Sequence, residues 1–542
     1  MAEVVAGVSK RRSRMVLFTI TAILFLTFLD TTIMSVAAVD LQETLQTSVS
    51  DLQWIINAYA LLFAALMLAF GTLGDRLGRK KIMLGGLVVF AAGSLFGALA
   101  WNIPSLIASR AIMGVGAAAC EPGTLSVIRQ IYPDRQARAR AIGWWAAMAG
   151  LALAMGPVIG GILVGIGGWP AIFWFNLAAC VIVLAAAIPL ITESSDPEHR
   201  KTDYVGYVLG PLALGLIVFA IIIGETAGYL DWRVLTLFGA GAIAMWLFVL
   251  NESRAEAPML EVKYFRRPPF SGSLTVAFST YFGVFSIFFL TAIFLQVVAH
   301  YSALRLALLF VPMAACMIIS SALAGKWVAA QGAQAPVTMG CLTAGMGVLF
   351  TEFALGRDPN FAFLVLALAV AGIGFGVAVV PITTVALSAL PSKHSGMAAS
   401  ATTTTREVGT VLGVAVLGSL FSNKLMTFLT AKLTEVGVPE AMHEGIRDAV
   451  LTGKVPEVPG VDMELFAPII NDPDPALVEQ LFPPAPEGTA EAFNHMVADG
   501  MVKSTNAALD AVANGVSWSL WVAGGIIIVS GIVAYLTFPR NA

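Results

Sequence analysis

Charge is scarce in this 542-residue sequence: only 12% of the residues are Asp, Glu, Lys or Arg, against about 25% in soluble domains. Hydrophobic residues make up 58%, more than a water-soluble surface could carry without large apolar patches. Lipid is the solvent that fits. With a net charge of -3 and no basic domain, nucleic-acid binding has no electrostatic footing. Cysteine is scarce too. Cys120, Cys180, Cys316 and Cys341 all stand in apolar stretches, with no spacing for a disulfide framework or a metal site. The five histidines are scattered beyond ligand spacing of one another. The patterns Gly-x4-Gly-Lys-[Ser/Thr], Gly-x-Ser-x-Gly and His-Glu-x-x-His are missing, which argues against cofactor binding, ATP coupling within this chain and hydrolytic chemistry. The basic N-terminus and the apolar run from Met15 look at first like a signal peptide. That run carries Asp30 and lasts about 24 residues, too long for a signal core, and reads as a first membrane span.

A spanning helix needs about 20 apolar residues. Fourteen segments qualify: 15–38, 52–71, 82–101, 104–128, 141–166, 169–192, 204–224, 233–251, 271–298, 303–325, 336–355, 361–388, 396–422 and 515–538. Placing the N-terminus inside puts 21 of the 31 basic residues on the cytoplasmic side, in runs such as Lys10–Arg14, Arg76–Lys81 and Arg129–Arg140. Short outer loops then hold only Arg233, Arg305 and Arg357, as the positive-inside rule requires. An even number of spans returns the C-terminus to the cytoplasm, and the cell membrane is the expected location.

The expected organisation is a cytoplasmic N-terminus at 1–14, a six-helix half at 15–192 and an inserted helix pair at 193–251. Helices of a second half follow at 252–422, then a long outer loop at 423–514, the last span at 515–538 and a cytoplasmic tail at 539–542. The loop holds fourteen acidic and five basic residues, and its middle is proline-rich. It reads as irregular in the middle, with a surface helix over 489–514 running into the last span.

The loop after the second span reads Gly71-Thr-Leu-Gly-Asp75-Arg76-Leu-Gly78-Arg79-Lys80-Lys81. Two glycines seven apart permit close helix contact at either end of a tight turn, and Asp75 suits a positive group or a helix N-terminus. This stretch resembles the cytoplasmic signature of the major facilitator superfamily. Leu29-Asp30-Thr31-Thr32-Ile33 is similar to the first-helix signature of its fourteen-helix drug:proton antiporter branch, and Arg110-x-x-x-Gly114 to its fourth-helix motif. Gly150-x5-Gly156-Pro157-x-x-Gly160-Gly161 resembles the antiporter motif of the fifth helix, although Gly168-Trp169-Pro170 departs from the usual Trp-Arg. Gly325 and Gly332 form a degraded echo of Gly71 and Gly78, as an internal repeat would leave. The resemblance implies an all-α polytopic membrane protein with the major facilitator fold: two six-helix halves, two inserted helices and transport by rocking of one half against the other.

Ionisable residues within spans are costly and are functional candidates by default. Asp30 lies about 12 Å from the outer end of its helix and Arg110 about 9 Å from the outer end of its own. Similar depth makes them a candidate proton-coupling pair, with Glu121 eleven positions after Arg110 on the same face. Ser400, Thr403, Glu407 and Thr410 make a polar stripe suited to a substrate cavity, while Arg406 must point away, toward Gly409 and Gly413. Phe282, Phe285, Phe288, Phe289 and Phe294 lie at helical spacing, fit either for an apolar cavity or for core and lipid contacts. Together with the resemblance, these residues predict export of amphipathic drugs or antibiotics in exchange for protons, without a cofactor. The acidic set favours cationic cargo. Another cargo (lipid, siderophore or metabolite) and a non-transporting receptor acting through the outer loop remain open alternatives.

Overall fold

The structure is a computed structural model that describes residues 10–45, 49–194, 203–256, 258–299, 301, 303–356, 359–391, 394–438, 440, 443–447, 474–481, 484 and 490–539. All regular structure among these residues is helical. The first half comprises α1 (Lys10–Ile33), a short α2 (Ala38–Leu45), α3 (Val49–Leu77), α4 (Arg79–Ala98), α5 (Ile103–Ile131), α6 (Arg135–Gly167) and α7 (Pro170–Leu190). The inserted pair is α8 (Tyr204–Ala227) and α9 (Trp232–Arg254). The second half comprises α10 (Pro268–Val297), α11 (Ala303–Gln331), α12 (Gln334–Ala354), α13 (Phe361–Ser388), α14 (Ser395–Glu435) and α16 (Ala490–Thr537). A short α15 (Pro475–Leu481) lies between the last two. Thirteen helices among the described residues are long and apolar enough to cross a membrane. The segment expected at 141–166 lies in α6, a further helix of 33 residues, so fourteen spans are compatible with the fold. The chain is a multi-pass helical membrane protein.

Local chemistry sets the helix ends. Asn102 and Ser105 form a reciprocal capping box at the start of α5. Asp134, Asp203 and Asp231 each accept a backbone N–H at the start of α6, α8 and α9. Gly78 and Gly332 both have positive φ, 116° and 84°, where the chain turns from α3 to α4 and from α11 to α12. Only glycine takes that conformation cheaply, so the echo between these two turns is conformational as well as sequential. At the opposite end, the Trp169 amide donates to Asp40 Oδ2 (2.6 Å) and its indole to Thr44 Oγ1 (3.1 Å). These bonds dock α2 onto the start of α7.

The helix before the acidic outer segment outruns its expected end: α14 does not stop at 422 but runs on to Glu435. α16 is one helix from Ala490 through the last span, as the helix-forming run over 489–514 leads one to expect. Leu425, Leu429 and Leu433 recur every four residues in α14 and share a core with Ala507, Ala511, Val512 and Val516 of α16. One apolar stripe thus packs the two helices together beyond residue 422. Residues 451–473, most of the proline-rich stretch, lie outside the described residues.

α8 packs along α3, with Trp54 and Phe219 rings 5.6 Å apart. Ala64, Val218 and Ile222 meet Leu61 and Val411 there. The inserted pair therefore covers the seam between α3 and α14. α9 is the outermost member, with Leu235, Ile243 and Trp246 more than half exposed, as suits a lipid-facing helix.

The two halves meet along α3–α14 and α6–α11. A Cβ on Gly71 would strike Ser400, while one on Gly143 would stand 2.7 Å from the Ser321 carbonyl and one on Gly325 2.8 Å from that of Ala139. These close approaches lie toward the end that carries the 76–81 turn. Gly161 and Gly165, at the other end of α6, have nothing within 4 Å of a built Cβ. The interface is tight at the basic end.

Candidate functional site

Within the first half, Asp30 of α1 and Arg110 of α5 are both completely buried, and Arg110 Nη1 forms an ion pair with Asp30 Oδ2. Asn176 of α7 donates to the other carboxylate oxygen at 2.7 Å. Arg110 Nε donates to the Ile55 carbonyl at 3.1 Å, and the guanidinium carbon stands 4.6 Å from the Tyr59 ring of α3. Tyr59 donates in turn to the Thr27 carbonyl of α1 at 2.9 Å. Four helices thus converge on one carboxylate. Gly114 is needed one turn below Arg110, because a Cβ there would stand 2.5 Å from the Tyr59 carbonyl. Asn176 and Tyr59 are not among the candidates that the sequence offers. The available signal for Asn176 is a lone amide in a span of mean hydropathy 2.4.

At the basic end, Asp75 is almost wholly buried and faces the first turn of α14. Its Oδ2 accepts the Met397 amide at 3.2 Å, while Oδ1 takes Arg79 Nε at 2.9 Å. A Cβ on Gly396 would collide with the Asp75 carboxylate. The carboxylate therefore serves as an anion at a helix N-terminus while held by a cation. Arg76 turns instead to the Tyr207 ring of α8, 5.8 Å away. Glu193, another residue without a sequence signal, accepts the Lys80 and Lys81 amides at 3.1 and 3.2 Å, beside Gly78. Arg129 Nη2 adds a second tie between the halves by donating to the Leu390 carbonyl at 3.0 Å.

A small cavity of ≈ 20 Å³, room for little more than a water, lies between the halves, lined by Phe28, Gly150, Tyr281, Phe288, Met313 and Met317 among others. Of the aromatic series on α10, only Phe288 faces it among side chains described. Phe289 is 42% exposed, and Phe282 and Phe294 pack inside the second half. Glu121 and Glu407 approach each other and Arg406 across the interface, within electrostatic reach. Glu121 is 1% exposed, and its Oε2 meets no hydrogen-bond partner. The stripe on α14 is less uniform than its spacing suggests. Ser400 abuts Gly71 of α3, and the hydroxyls of Ser400, Thr403 and Thr410 all donate to carbonyls of their own helix at 2.9–3.2 Å. Arg406 shares a side of α14 with Gly409 and Gly413, which pack against the Phe278 and Phe282 carbonyls of α10. It donates to Thr383 of α13 and lies near the rings of Trp145 and Tyr281.

In α6, Gly150 faces Met317 of the other half, with 3.2 Å from a built Cβ to the sulfur. A Cβ on Gly156 would collide with Thr32 of α1, two residues after Asp30. Pro157 lies in the unbroken run of α6, and Gly160 is buried whereas Gly161 is exposed. The motif thus divides one helix between two partners. Its early part meets the opposite half, and its middle presses on the helix that carries Asp30.

Two helical halves, a cavity between them and buried charge beside it define a membrane transporter rather than an enzyme. The chain belongs to the Major Facilitator Superfamily, whose model matches residues 20–414. It is 32% identical over 423 residues to the multidrug resistance protein Stp of Mycobacterium tuberculosis, covering 78% of each chain. It is 34% identical over 394 residues to the methylenomycin A resistance protein of Bacillus subtilis, covering 72% of this chain and 84% of that protein. In fold it is similar to the proton:xylose symporter XylE, with a TM-score of 0.59 over 98% of this chain and 97% of that chain at 13% identity.

Proposed function

We propose that this transporter exports amphipathic compounds, drugs or antibiotics among them, across the cell membrane in exchange for protons by alternating access. The observation that carries the reading is the Asp30–Arg110–Asn176 cluster. A carboxylate buried among four helices and held by one guanidinium and one amide parts from those partners only as its helices move, and that dependence is the physical requirement for coupling. Gly156, packed on Thr32, links that carboxylate to α6, whose other end lies on the interface between the halves. Relatives that carry drug and antibiotic resistance in their names support export as the direction.

With both termini cytoplasmic, as the basic residues favour, the tied end of the bundle faces the cytoplasm. Asp75, Arg79 and Arg129 then hold the inner gate shut, and cargo leaves from the opposite end. Glu407, half-buried near the cavity level, supplies attraction for positively charged cargo. Protons supply the driving force, and lipid surrounds the bundle.

The test is transport in proteoliposomes with an imposed pH gradient, screened over fluorescent amphiphiles. Uphill movement of a compound that stops when the gradient is collapsed is the expected result. Movement that is blind to the gradient, in wild type and in Asp30→Asn alike, would remove proton exchange from the mechanism.

A further inference from the structure

Arg406 brings a guanidinium into the middle of the bundle and leaves much of it unpaired. The residue is 2% exposed. Nη2 donates to Thr383 Oγ1, but Nε and Nη1 meet no acceptor among the described residues. Its neighbours on two sides are ring systems: the guanidinium carbon stands 5.5 Å from the Trp145 ring and 5.2 Å from the Tyr281 ring. Aromatic rings stabilise a cation but take up no N–H in the plane of the guanidinium. Neither Glu121 nor Glu407 bonds these two nitrogens, although both lie in electrostatic reach. Buried donors of a charged group without acceptors are costly, a cost that an incoming acceptor would relieve.

The surroundings indicate where the partner comes from. Tyr281, one of the two rings beside Arg406, is also part of the cavity wall. The rest of that wall is apolar or aromatic: Phe28, Phe288, Met313 and Met317. Trp145 is fixed from behind, since its indole donates to Thr124 Oγ1 at 2.9 Å and Thr124 donates to the Glu121 carbonyl at 2.6 Å. A guanidinium held beside fixed rings at the margin of an apolar cavity is arranged to meet an oxygen acceptor on an otherwise apolar molecule.

We propose that Arg406 is a specificity-determining residue of the cargo cavity. It selects amphipathic compounds that carry a carboxylate or an equivalent oxyanion on an aromatic or aliphatic body. Once the halves part and widen the cavity, the body lies against Phe28, Phe288 and Met317, and the oxygens supply the acceptors that Nε and Nη1 lack. This rests on the cavity being the cargo path and adds to it a second cargo class beside the cations that Glu407 attracts.

The test uses two matched probes, a pyrene bearing a carboxylate and a pyrene bearing a trimethylammonium group. Binding to the purified full chain in detergent is measured by calorimetry, and transport in proteoliposomes under a pH gradient. Losing a charge-assisted hydrogen bond lowers affinity on the order of tenfold or more. Arg406→Gln is therefore expected to weaken the carboxylate probe by about that factor, with Arg406→Lys intermediate, while ammonium binding stays within about twofold. In transport the loss is expected in KM rather than in maximal rate. Unchanged carboxylate binding in Arg406→Gln, or no carboxylate binding by wild type, overturns the proposal. So does an equal loss of both probes in maximal rate with KM unchanged, which would make Arg406 a partner of Glu121 in the moving interface. Because binding is read without a gradient, failure of proton-driven export leaves the comparison of the two probes intact.

Discussion

Asp75, two residues before the end of α3, accepts the backbone amide of Met397 and so holds the first turn of α14, 322 residues away along the chain. The carboxylate is kept in place by Arg79, one turn on. One acidic side chain thereby joins the two halves at the end where their helices pack most closely.

Asp75→Asn is expected to loosen that end. The amide keeps the size but loses the charge that favours a helix N-terminus, an effect of about 1 kcal/mol. Ser400, completely buried against Gly71, reports the change. In a background without the four native cysteines, Ser400→Cys should resist a membrane-permeant thiol reagent and become reactive once Asp75→Asn is added. Equal protection in both would show that the contact does not depend on the carboxylate.

Asp30→Asn should abolish gradient-driven transport and flatten its pH dependence, because asparagine cannot carry a proton. It also leaves the buried Arg110 without its counter-charge, a loss of about 3–5 kcal/mol where a buried pair is broken on one side. A lower Tm with a folded, membrane-inserted protein is the expected accompaniment. Normal uphill transport by this variant would move the proton to another carboxylate, with Glu121 first in line.

Gly156→Ala should impair transport by forcing α6 away from Thr32, at an overpacking cost of about 1–3 kcal/mol. Thr32→Ala on top of it should recover part of the activity, since the collision is mainly with that side chain. Gly161→Ala, where no atom lies within 4 Å of the new methyl, is the control and should behave as wild type. If the two alanine variants are equally active, the α1–α6 contact does not limit turnover.

The orientation can be read from two exposed positions at opposite ends, Leu77 closing α3 and Glu479 on α15. A cysteine at 479 is expected to react with an impermeant reagent in intact cells, and one at 77 only after permeabilisation. Labelling at 77 from outside would invert the assignment.

The depth of Asp30 and Arg110 is legible in the chain because charge in a span is rare and helical rise converts residue count to height. The glycine turns are legible for a similar reason: Gly78 and Gly332 answer a local backbone demand. Asn176 is not, since one amide in an apolar helix has no period and nothing in the chain says what it faces. Treating α14 as a wheel puts Arg406 on the α10 side, where Tyr281 lies, but does not show that it also reaches Thr383 and Trp145. A long side chain extends well past its own face, and this one passes between α6, α10 and α13. The hydroxyl stripe has the pattern of a cavity wall, yet a hydroxyl in an apolar helix can satisfy itself on a carbonyl one turn back, as Thr403 and Thr410 do. Hydropathy also places the end of α14 too early, because it falls before helix propensity does.

The length of α14 has a mechanical side. At 41 residues it is a rod of about 61 Å, pivoted at Asp75 and carrying Arg406 and Glu407 about 17 Å from the pivot. Its tip at Glu435 lies some three and a half times farther out, so a tilt that shifts Arg406 by about 1 Å sweeps the tip through about 3.5 Å. A rigid tilt of that kind would amplify a small shift at the buried charges. A fluorophore on the outer reach of α14 would report sub-ångström events at the buried charges, and a binder clamped there would brake them with the greatest leverage.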